Sequence, residues 1–243
     1  MSRVKTILKK CPSLYHSLQN AYHVFRGIIE THILGSKIQE RYWKNRKLKW
    51  RQDCLGLESI SHPHRQLLIE KIVTYIPFSS ILEIGCASGP NLILLAPKFP
   101  NVKIRGLDIN PRAVEIGNEY FNKKGASNVK LLVGKADDLR QFQDKSFDIV
   151  FTDATLLYIG PDKIKKVASE MQRITRKAII LLEHHSEEES ALGRYNKGNW
   201  LRNYKALFYS FARRIETTKI SPELWGGDWG RLGYLIEILL RKR

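Results

Sequence analysis

The sequence lacks an apolar run of the roughly 20 residues that a membrane-spanning helix needs. Its basic start, Met1 to Lys10, is not followed by a long apolar stretch with a small-residue cleavage site, so it does not match a secretory signal peptide. Low-complexity segments and internal repeats are also absent. We therefore expect a globular, cytoplasmic protein, with any membrane association confined to the bilayer surface.

Cysteine is scarce: Cys11, Cys54 and Cys86 are far apart and odd in number. This spacing favours neither a disulfide framework nor a zinc site. We expect reduced thiols, as in a reducing compartment.

Acidic residues are outnumbered, with 41 Lys and Arg against 24 Asp and Glu and a formal net charge of +17. The excess lies at the two ends, because the net charge is +9 over residues 1–75, +1 over 76–190 and +7 over 191–243. A basic flank favours an anionic partner such as RNA, a membrane surface or an acidic glycan. A solvated surface explains the same charge, so both interpretations stay open at this point.

The N-terminal part differs from the rest, and we expect a basic helical extension or cap over residues 1–58 in front of a larger domain over 59–243. Apolar residues recur at helical spacing over 13–33. Residues 37–51 combine aromatic side chains with seven Lys and Arg. Such a stretch can bind a polyanion by phosphate contacts and stacking, lie on an anionic membrane, or simply cap the domain.

From residue 80 onward, short apolar runs alternate with helical stretches. This alternation predicts a parallel sheet covered on both faces. The runs are continuous, as in Ala178 to Leu182, which is typical of strands buried on both sides. The predicted strands are 80–84, 103–108, 129–133, 147–152, 177–183, 214–221 and 233–241. The predicted helices are 63–75, 90–98, 111–124, 161–174 and 199–211. We expect an α/β fold with a seven-stranded, mostly parallel sheet, helices on both faces, and a C-terminal antiparallel strand pair joined by a Gly/Trp-rich loop.

A glycine-rich turn follows the first predicted strand. Glu83 ends the strand, and Gly85 to Gly89 lead into a helix that begins near Pro90. Such a turn lets the backbone approach a ligand, and the helix N-terminus presents free N–H groups. Ala87 and Pro90 occupy the second and third glycine positions of the dinucleotide fingerprint, so that motif fails, and the phosphate-binding G-x-x-x-x-G-K-[ST] is missing too.

The segment Glu83 to Gly89 resembles the motif [DE]-x-G-x-G-x-G of the class I, Rossmann-like S-adenosylmethionine (SAM)-dependent methyltransferases, with alanine as the middle glycine. The resemblance covers about residues 60–183 and, more weakly, the part from there to the C-terminus. It implies a transferase with SAM as its cofactor. Asp108, about 20 residues past the turn, fits the acid that holds both ribose hydroxyls. The cofactor-binding residues that follow from the resemblance are Glu83, Gly85, Cys86, Ala87, Ser88, Gly89, Asn91, Asp108, Ile109, Ala136, Asp137 and Asp153.

Lys135 departs from the family pattern. The family often has an acid at this place beside the adenine, and a lysine cannot accept a hydrogen bond from the adenine amino group. We expect Asp137 or the backbone of Ala136 to make the adenine contact.

The predicted catalytic residues are Tyr158, His184 and His185. The resemblance places Tyr158 beside the acceptor, although it can equally be a packing residue. A histidine after the fifth strand can act as general base for a hydroxyl acceptor, or both histidines are loop residues. Asp153, Glu183 and His184 can be combined into a metal site. Because these ligands are so few, we predict no metal.

Two nucleic-acid chemistries lack their motifs. The fourth strand ends in Thr152 to Thr155, with no prolines, rather than in the [DNS]-P-P-[YFW] of amino-directed enzymes, and no Pro-Cys offers the nucleophile of cytosine C5 chemistry. We predict O-methylation of a small-molecule or glycan-type acceptor. The alternatives are an RNA methyltransferase that uses the basic flanks and a SAM-binding module without activity.

Overall fold

The computed structural model describes Ser17, Ala21, residues 36–196 and residues 198–241. The predicted helix over 13–33 and most of the predicted extension over 1–58 therefore lie outside the described residues. Within the described part, no helix is long and apolar enough to cross a membrane.

Seven of the described strands form one sheet. The nine strands of the described residues are β1 (Ser80–Ile84), β2 (Lys103–Asp108), β3 (Val129–Val133), β4 (Phe147–Asp153), β5 (Thr175–His184), β6 (Arg194–Asn196), β7 (Asn199–Leu201), β8 (Ala212–Lys219) and β9 (Gly233–Leu240). The order in the sheet is β3-β2-β1-β4-β5-β9-β8, and β6 and β7 form a separate hairpin. β1 to β5 pair in parallel, whereas β9 is antiparallel to both of its neighbours. The predicted mostly parallel sheet with a C-terminal antiparallel pair is confirmed.

Helices cover both faces of this sheet. They are α1 (Lys37–Asn45), α2 (Trp50–Asp53), α3 (Leu57–Ile60), α4 (Pro63–Val73), α5 (Pro90–Leu95), α6 (Pro111–Lys123), α7 (Ile164–Ile174), α8 (Tyr204–Phe208) and α9 (Asp228–Leu232), with a 3₁₀ turn at Leu156–Tyr158.

The continuous apolar strands supply two hydrophobic clusters, one on each face. Ile81 and Leu82 are adjacent in β1 and fully buried, yet they belong to opposite clusters. One cluster includes side chains of α4, α5 and α6, and the other includes side chains of α7 and α8. Successive residues of a strand point to opposite faces, so a strand buried on both sides needs an unbroken apolar run.

Proline and asparagine place the helix N-termini at one edge of the sheet. Pro90 and Pro111 begin α5 and α6, where the missing N–H of proline costs no hydrogen bond. Asn110 caps α6 by accepting from the backbone N–H groups of Arg112 and Ala113.

The chain leaves β1 toward β2 on one side, while β4 lies on the other side of β1. The carboxyl ends of β1 and β4 therefore form the switch point where open α/β sheets bind ligands.

The predicted helix over 199–211 is wrong at its start, where the chain forms the β6–β7 hairpin. Apolar residues here have helical spacing, but Gly193 and Gly198 adopt positive φ angles of 83° and 100° and bend the chain. The Asn203 side chain then accepts from the Ala206 backbone N–H at 3.0 Å and begins α8 only at Tyr204. The predicted Gly/Trp-rich loop also contains the short helix α9.

Candidate functional site

The glycine turn after β1 is closely packed and left-handed at three positions. Gly85, Ala87 and Gly89 have φ angles of 78°, 49° and 90°. A Cβ on Gly85 would lie 2.0 Å from Thr155 Oγ1, so only glycine fits there. The backbone N–H groups of Gly85 and Cys86 both donate to the Leu107 carbonyl, at 2.7 and 3.1 Å, which ties the turn to β2.

Asp108, at the end of β2, holds the turn from the other side. Its Oδ2 accepts from the Ala87 backbone N–H and its Oδ1 from the Asn110 backbone N–H, both at 2.8 Å. Burial raises the pKa of Asp108 above its ordinary value, although these backbone bonds oppose the shift. Each carboxylate oxygen has a second lone pair, so Asp108 can still accept hydroxyl groups.

A cavity of about 250 Å³ opens at these strand ends. Among the predicted site residues, its lining includes Gly85, Ala87, Asp108, Ile109, Ala136, Asp137, Asp153 and Tyr158. The lining does not include Glu83, Cys86, Ser88, Gly89, Asn91, His184 or His185. The sequence thus identified much of the cavity floor, whereas several residues of the glycine motif support the turn from behind.

Asp153, at the end of β4, is surrounded by donors. Its Oδ2 accepts from Arg65 Nη1 at 2.9 Å, from Asn91 Nδ2 at 3.0 Å, and lies 3.2 Å from His64 Nε2. Burial alone would raise the pKa of Asp153, but the hydrogen bond and charge of His64, the charge of Arg65 and the bond from Asn91 hold it below its ordinary value. Asp153 is therefore ionised at neutral pH on the cavity wall.

Glu83 and Asn91 act behind Asp153 rather than on the cavity. Asn91 Nδ2 also donates to Glu83 Oε1 at 2.7 Å, while Glu83 Oε2 is buried without a partner. Complete burial raises the pKa of Glu83 to about 8. This carboxyl group is therefore largely neutral below that pH.

His64 and Arg65 belong to the site although the sequence interpretation did not include them. The His64 ring stacks on Trp225 with centroids 4.0 Å apart, and its Nδ1 lies 2.6 Å from His62 Nδ1. The same His62 nitrogen also accepts the His64 backbone N–H at 3.4 Å. In the sequence, the feature that could have indicated their role is the cluster His62-Pro63-His64-Arg65 at a helix start.

The segment from α1 to α2 forms the wall of the cavity opposite the strand ends. The sequence predicted this segment only as a general cap over the domain. Glu40, Trp43 and Trp50 line the cavity. The Trp43 and Tyr158 rings lie 4.6 Å apart, and Asn110 Nδ2 donates to the Trp43 carbonyl at 2.9 Å. Trp43 and Trp50 of the basic segment therefore face inward, whereas Tyr42 is exposed.

Lys135 takes part in an ion-pair network with this wall. Its Nζ lies 2.8 Å from Glu40 Oε2, Glu40 also pairs with Lys163, and Lys163 Nζ lies 3.0 Å from Asp137 Oδ2. Burial would raise the pKa of Glu40, but bonds and charge from the two lysines lower it. The lysine that departs from the family pattern thus has an acidic partner on α1.

His184 and His185 are buried at the end of β5, outside the cavity lining. His184 packs against Trp229 with centroids 4.4 Å apart, and His185 Nδ1 accepts from the Tyr204 backbone N–H at 3.2 Å. Burial lowers the pKa of both rings. A base role for either histidine stays a prediction that this geometry does not support. Over residues 36–196 and 198–241, no three His, Cys, Asp or Glu side chains group closely enough to hold a metal ion.

Comparison with known proteins agrees with this arrangement. A family model described as a methyltransferase domain matches residues 81–178. The chain is similar to the demethylmenaquinone methyltransferase of Geobacillus stearothermophilus, with 28% identity over 171 residues that cover 70% of this chain and 61% of that protein. It is also similar to the malonyl-[acyl-carrier protein] O-methyltransferase 1 of Ilyobacter polytropus, with 37% identity over 81 residues that cover 33% of this chain and 28% of that protein.

Solved structures share the fold. The geranyl diphosphate C-methyltransferase from Streptomyces coelicolor A3(2) superimposes with a TM-score of 0.60 and 11% identity, covering 86% of this chain and 97% of that one. At this identity the likeness concerns the fold alone. The chain spans less than two thirds of the length of the two sequence relatives.

Proposed function

Because the chain belongs to the class I, Rossmann-like SAM-dependent methyltransferases, we propose that it transfers the methyl group of SAM to a hydroxyl of a small-molecule or glycan-type acceptor. The observation that carries this proposal is the cavity between β1, β2 and β4, which has Asp108 on one side and ionised Asp153 on the other. The acceptors named for the two similar sequences are demethylmenaquinone and malonyl-[acyl-carrier protein], which supports an acceptor other than nucleic acid.

The cofactor of this family is SAM, and the cavity residues fit it. Asp108 keeps a lone pair on each carboxylate oxygen for the two ribose hydroxyls. Ile109, Ala136 and Asp137 line the part of the cavity suited to adenine, and Asp153 offers a negative charge for the methionine part. The bound cofactor supplies a methyl group that its sulfonium already activates.

The chain itself then has to position the acceptor and exclude water. Trp43, Trp50 and Tyr158 close one side of the cavity with aromatic rings. Of the three predicted catalytic residues, Tyr158 is the one on this wall, and we assign it to the acceptor side. Its pKa is raised by burial and by the nearby charge of Glu183, so its hydroxyl stays protonated and can donate to the acceptor.

Two measurements test the proposal. Calorimetry with S-adenosylhomocysteine (SAH) should give saturable binding, and purified protein with SAM should release SAH only when fractionated cell extract supplies the acceptor. Asp108→Asn should weaken both, whereas Asp138→Asn, an exposed carboxylate outside the cavity lining, should change neither. SAH binding without turnover in any fraction would favour the inactive module, and absence of SAH binding would refute the proposal.

RNA methylation is the alternative that the basic flanks raise. Lys37, Arg41, Lys44, Lys47 and Lys49 are all exposed on the α1–α2 segment and can contact an anionic partner. Trp43 and Trp50, however, line the cavity and are not free to stack on bases, which weakens this reading. RNA binding that falls steeply with salt, together with methyl transfer to RNA, would replace the small-molecule acceptor by this alternative.

A further inference from the structure

The chain between β4 and α7 is held by the buried carboxylate of Glu183 on β5. Glu183 Oε1 accepts from Thr152 Oγ1 and from the backbone N–H groups of Thr155 and Leu156, at 2.8, 2.9 and 2.8 Å. Glu183 Oε2 accepts from the Leu157 backbone N–H at 3.1 Å. The N–H groups at the start of the 3₁₀ turn therefore all end on one side chain. Burial raises the pKa of Glu183 to about 7 against these four donors.

The other end of the same turn is held by Arg202, which follows β7. Arg202 Nη1 donates to the Leu156 carbonyl at 2.6 Å, and Nη2 donates to the Ile159 carbonyl at 2.5 Å. Arg202 is fully buried, a rare location for an arginine. A buried guanidinium has a high desolvation cost, and here backbone carbonyls take up its donors.

The turn needs this support because of its backbone. Ala154, directly before it, has a φ of 52°, a left-handed conformation that is energetically costly for a residue with a Cβ. The hydrogen bonds of Glu183 and Arg202 offset that cost.

The 3₁₀ turn also shapes the cofactor cavity. Thr155 packs directly against Gly85, and Thr155, Tyr158 and Ile159 line the cavity. The Tyr158 ring contacts Trp43 of α1, and the Gly160 backbone N–H donates to Ser36 Oγ at 2.9 Å. One short segment therefore sets the position of both the cavity floor and the α1 wall.

We propose that Glu183 and Arg202 are positioning residues, which hold residues 154–159 in the conformation that binds the cofactor before the cofactor arrives. Neither side chain lines the cavity, so both act through Thr155, Tyr158 and Ile159. The inference rests on the family's SAM cofactor and not on the identity of the acceptor. The proposal also gives the β6–β7 hairpin a role, because Arg202 directly follows β7 and the hairpin places it beside the turn.

The first test is the affinity for SAH of Arg202→Lys, measured by calorimetry. Lysine keeps the positive charge but loses the fork that reaches two carbonyls. Losing one charge-assisted hydrogen bond should weaken SAH binding by about tenfold. Arg194→Lys, an exposed position on the same hairpin, is the matched control and should bind as the parent protein does. An unchanged SAH affinity in a folded Arg202→Lys variant would overturn the proposal.

The second test is hydrogen exchange, measured first on the parent protein. Hydrogen exchange of the parent protein without SAH should show the amides of Thr155, Leu156 and Leu157 protected to the same degree as those of β4. Glu183→Gln, if it folds, should lose this protection selectively, because its amide NH₂ would face a backbone donor. Fast exchange at 155–157 that slows only when SAH is added would show that the cofactor orders the turn, and the proposal would fall. Failure of the parent protein to bind SAH would instead count against the proposed function.

Discussion

The Asp108 carboxylate accepts a hydrogen bond from the backbone N–H of Ala87 at 2.8 Å. Ala87 occupies the place of the middle glycine in the family motif and has a φ of 49°. The residue expected to hold the ribose thus also stabilises the strained residue of the glycine turn. Under the proposed role of Asp108, cofactor binding and turn geometry are coupled through this one contact.

The first prediction concerns Asp108→Asn. The asparagine NH₂ would replace one of two oxygens that each accept a backbone N–H, so one donor loses its partner. We expect the free energy of unfolding to fall by about 1–3 kcal/mol and SAH binding to weaken by at least about tenfold. Urea denaturation and calorimetry measure the two effects. Asp138→Asn should leave both within error, and equal affinity for SAH in Asp108→Asn would contradict the role assigned to Asp108.

The second prediction concerns Ala87→Gly. Glycine adopts a positive φ without the Cβ clash, but it also raises the entropy of the unfolded chain. We expect the relief of strain to outweigh this entropy effect, so that the free energy of unfolding rises by roughly 0.5–1 kcal/mol. Ala206→Gly, on the exposed face of α8, is the control with the opposite sign, since glycine destabilises a helix by roughly 1 kcal/mol. A loss of stability in both variants would show that Ala87 is not strained.

The third prediction is a pH dependence from Glu83. Its pKa is about 8 in the folded protein against an ordinary value of 4.5, so the folded state binds the proton more tightly. The stabilisation that this implies is complete below pH 4.5 and is lost as the pH rises from 4.5 to about 8.

Glu83→Gln should remove this slope while keeping the Asn91 contact through its carbonyl oxygen. We expect the difference in unfolding free energy between pH 5 and pH 8 to shrink by at least ~1 kcal/mol, since one pKa unit corresponds to ~1.4 kcal/mol. Glu115→Gln, an exposed carboxyl, should leave the slope unchanged. Parallel stability curves for the parent protein and Glu83→Gln would contradict the prediction.

The fourth prediction concerns the attachment of α1. Glu40→Gln removes the negative charge that pairs with Lys135 and Lys163. Partly exposed ion pairs contribute modestly, so we expect tryptic cleavage within residues 37–49 to accelerate by up to about fivefold while the melting temperature changes little. Added salt should speed cleavage of the parent protein and have less effect on the variant. Glu58→Gln on α3 is the control. Identical cleavage rates for Glu40→Gln and the parent protein would show that the ion-pair network does not hold α1 against the domain.

Much of the cavity at the strand ends follows from the chain's local patterns. Continuous apolar runs predicted β1 to β5, because a strand covered on both faces must be apolar throughout. Gly85, Asp108 and Asp153 could be predicted together since parallel strands end at the same edge of a sheet. The sequence shows that Ala87 departs from the motif, but it does not show that the Ala87 backbone N–H bonds to Asp108.

What only the tertiary structure decided is the set of partners that approach this edge from distant parts of the chain. Arg65 and His64 reach Asp153 across 88 and 89 positions in the sequence, Glu40 reaches Lys135 across 95, and Arg202 reaches Leu156 across 46. A charged side chain in a sequence has many possible partners, and no periodic pattern selects among them. The selection is made by packing, since burial leaves His64, Arg65 and Arg202 one local set of donors or acceptors that can satisfy them. The sequence by itself thus determined the sheet and the strand ends that meet at the cavity, and the folded chain determined the walls that close over them.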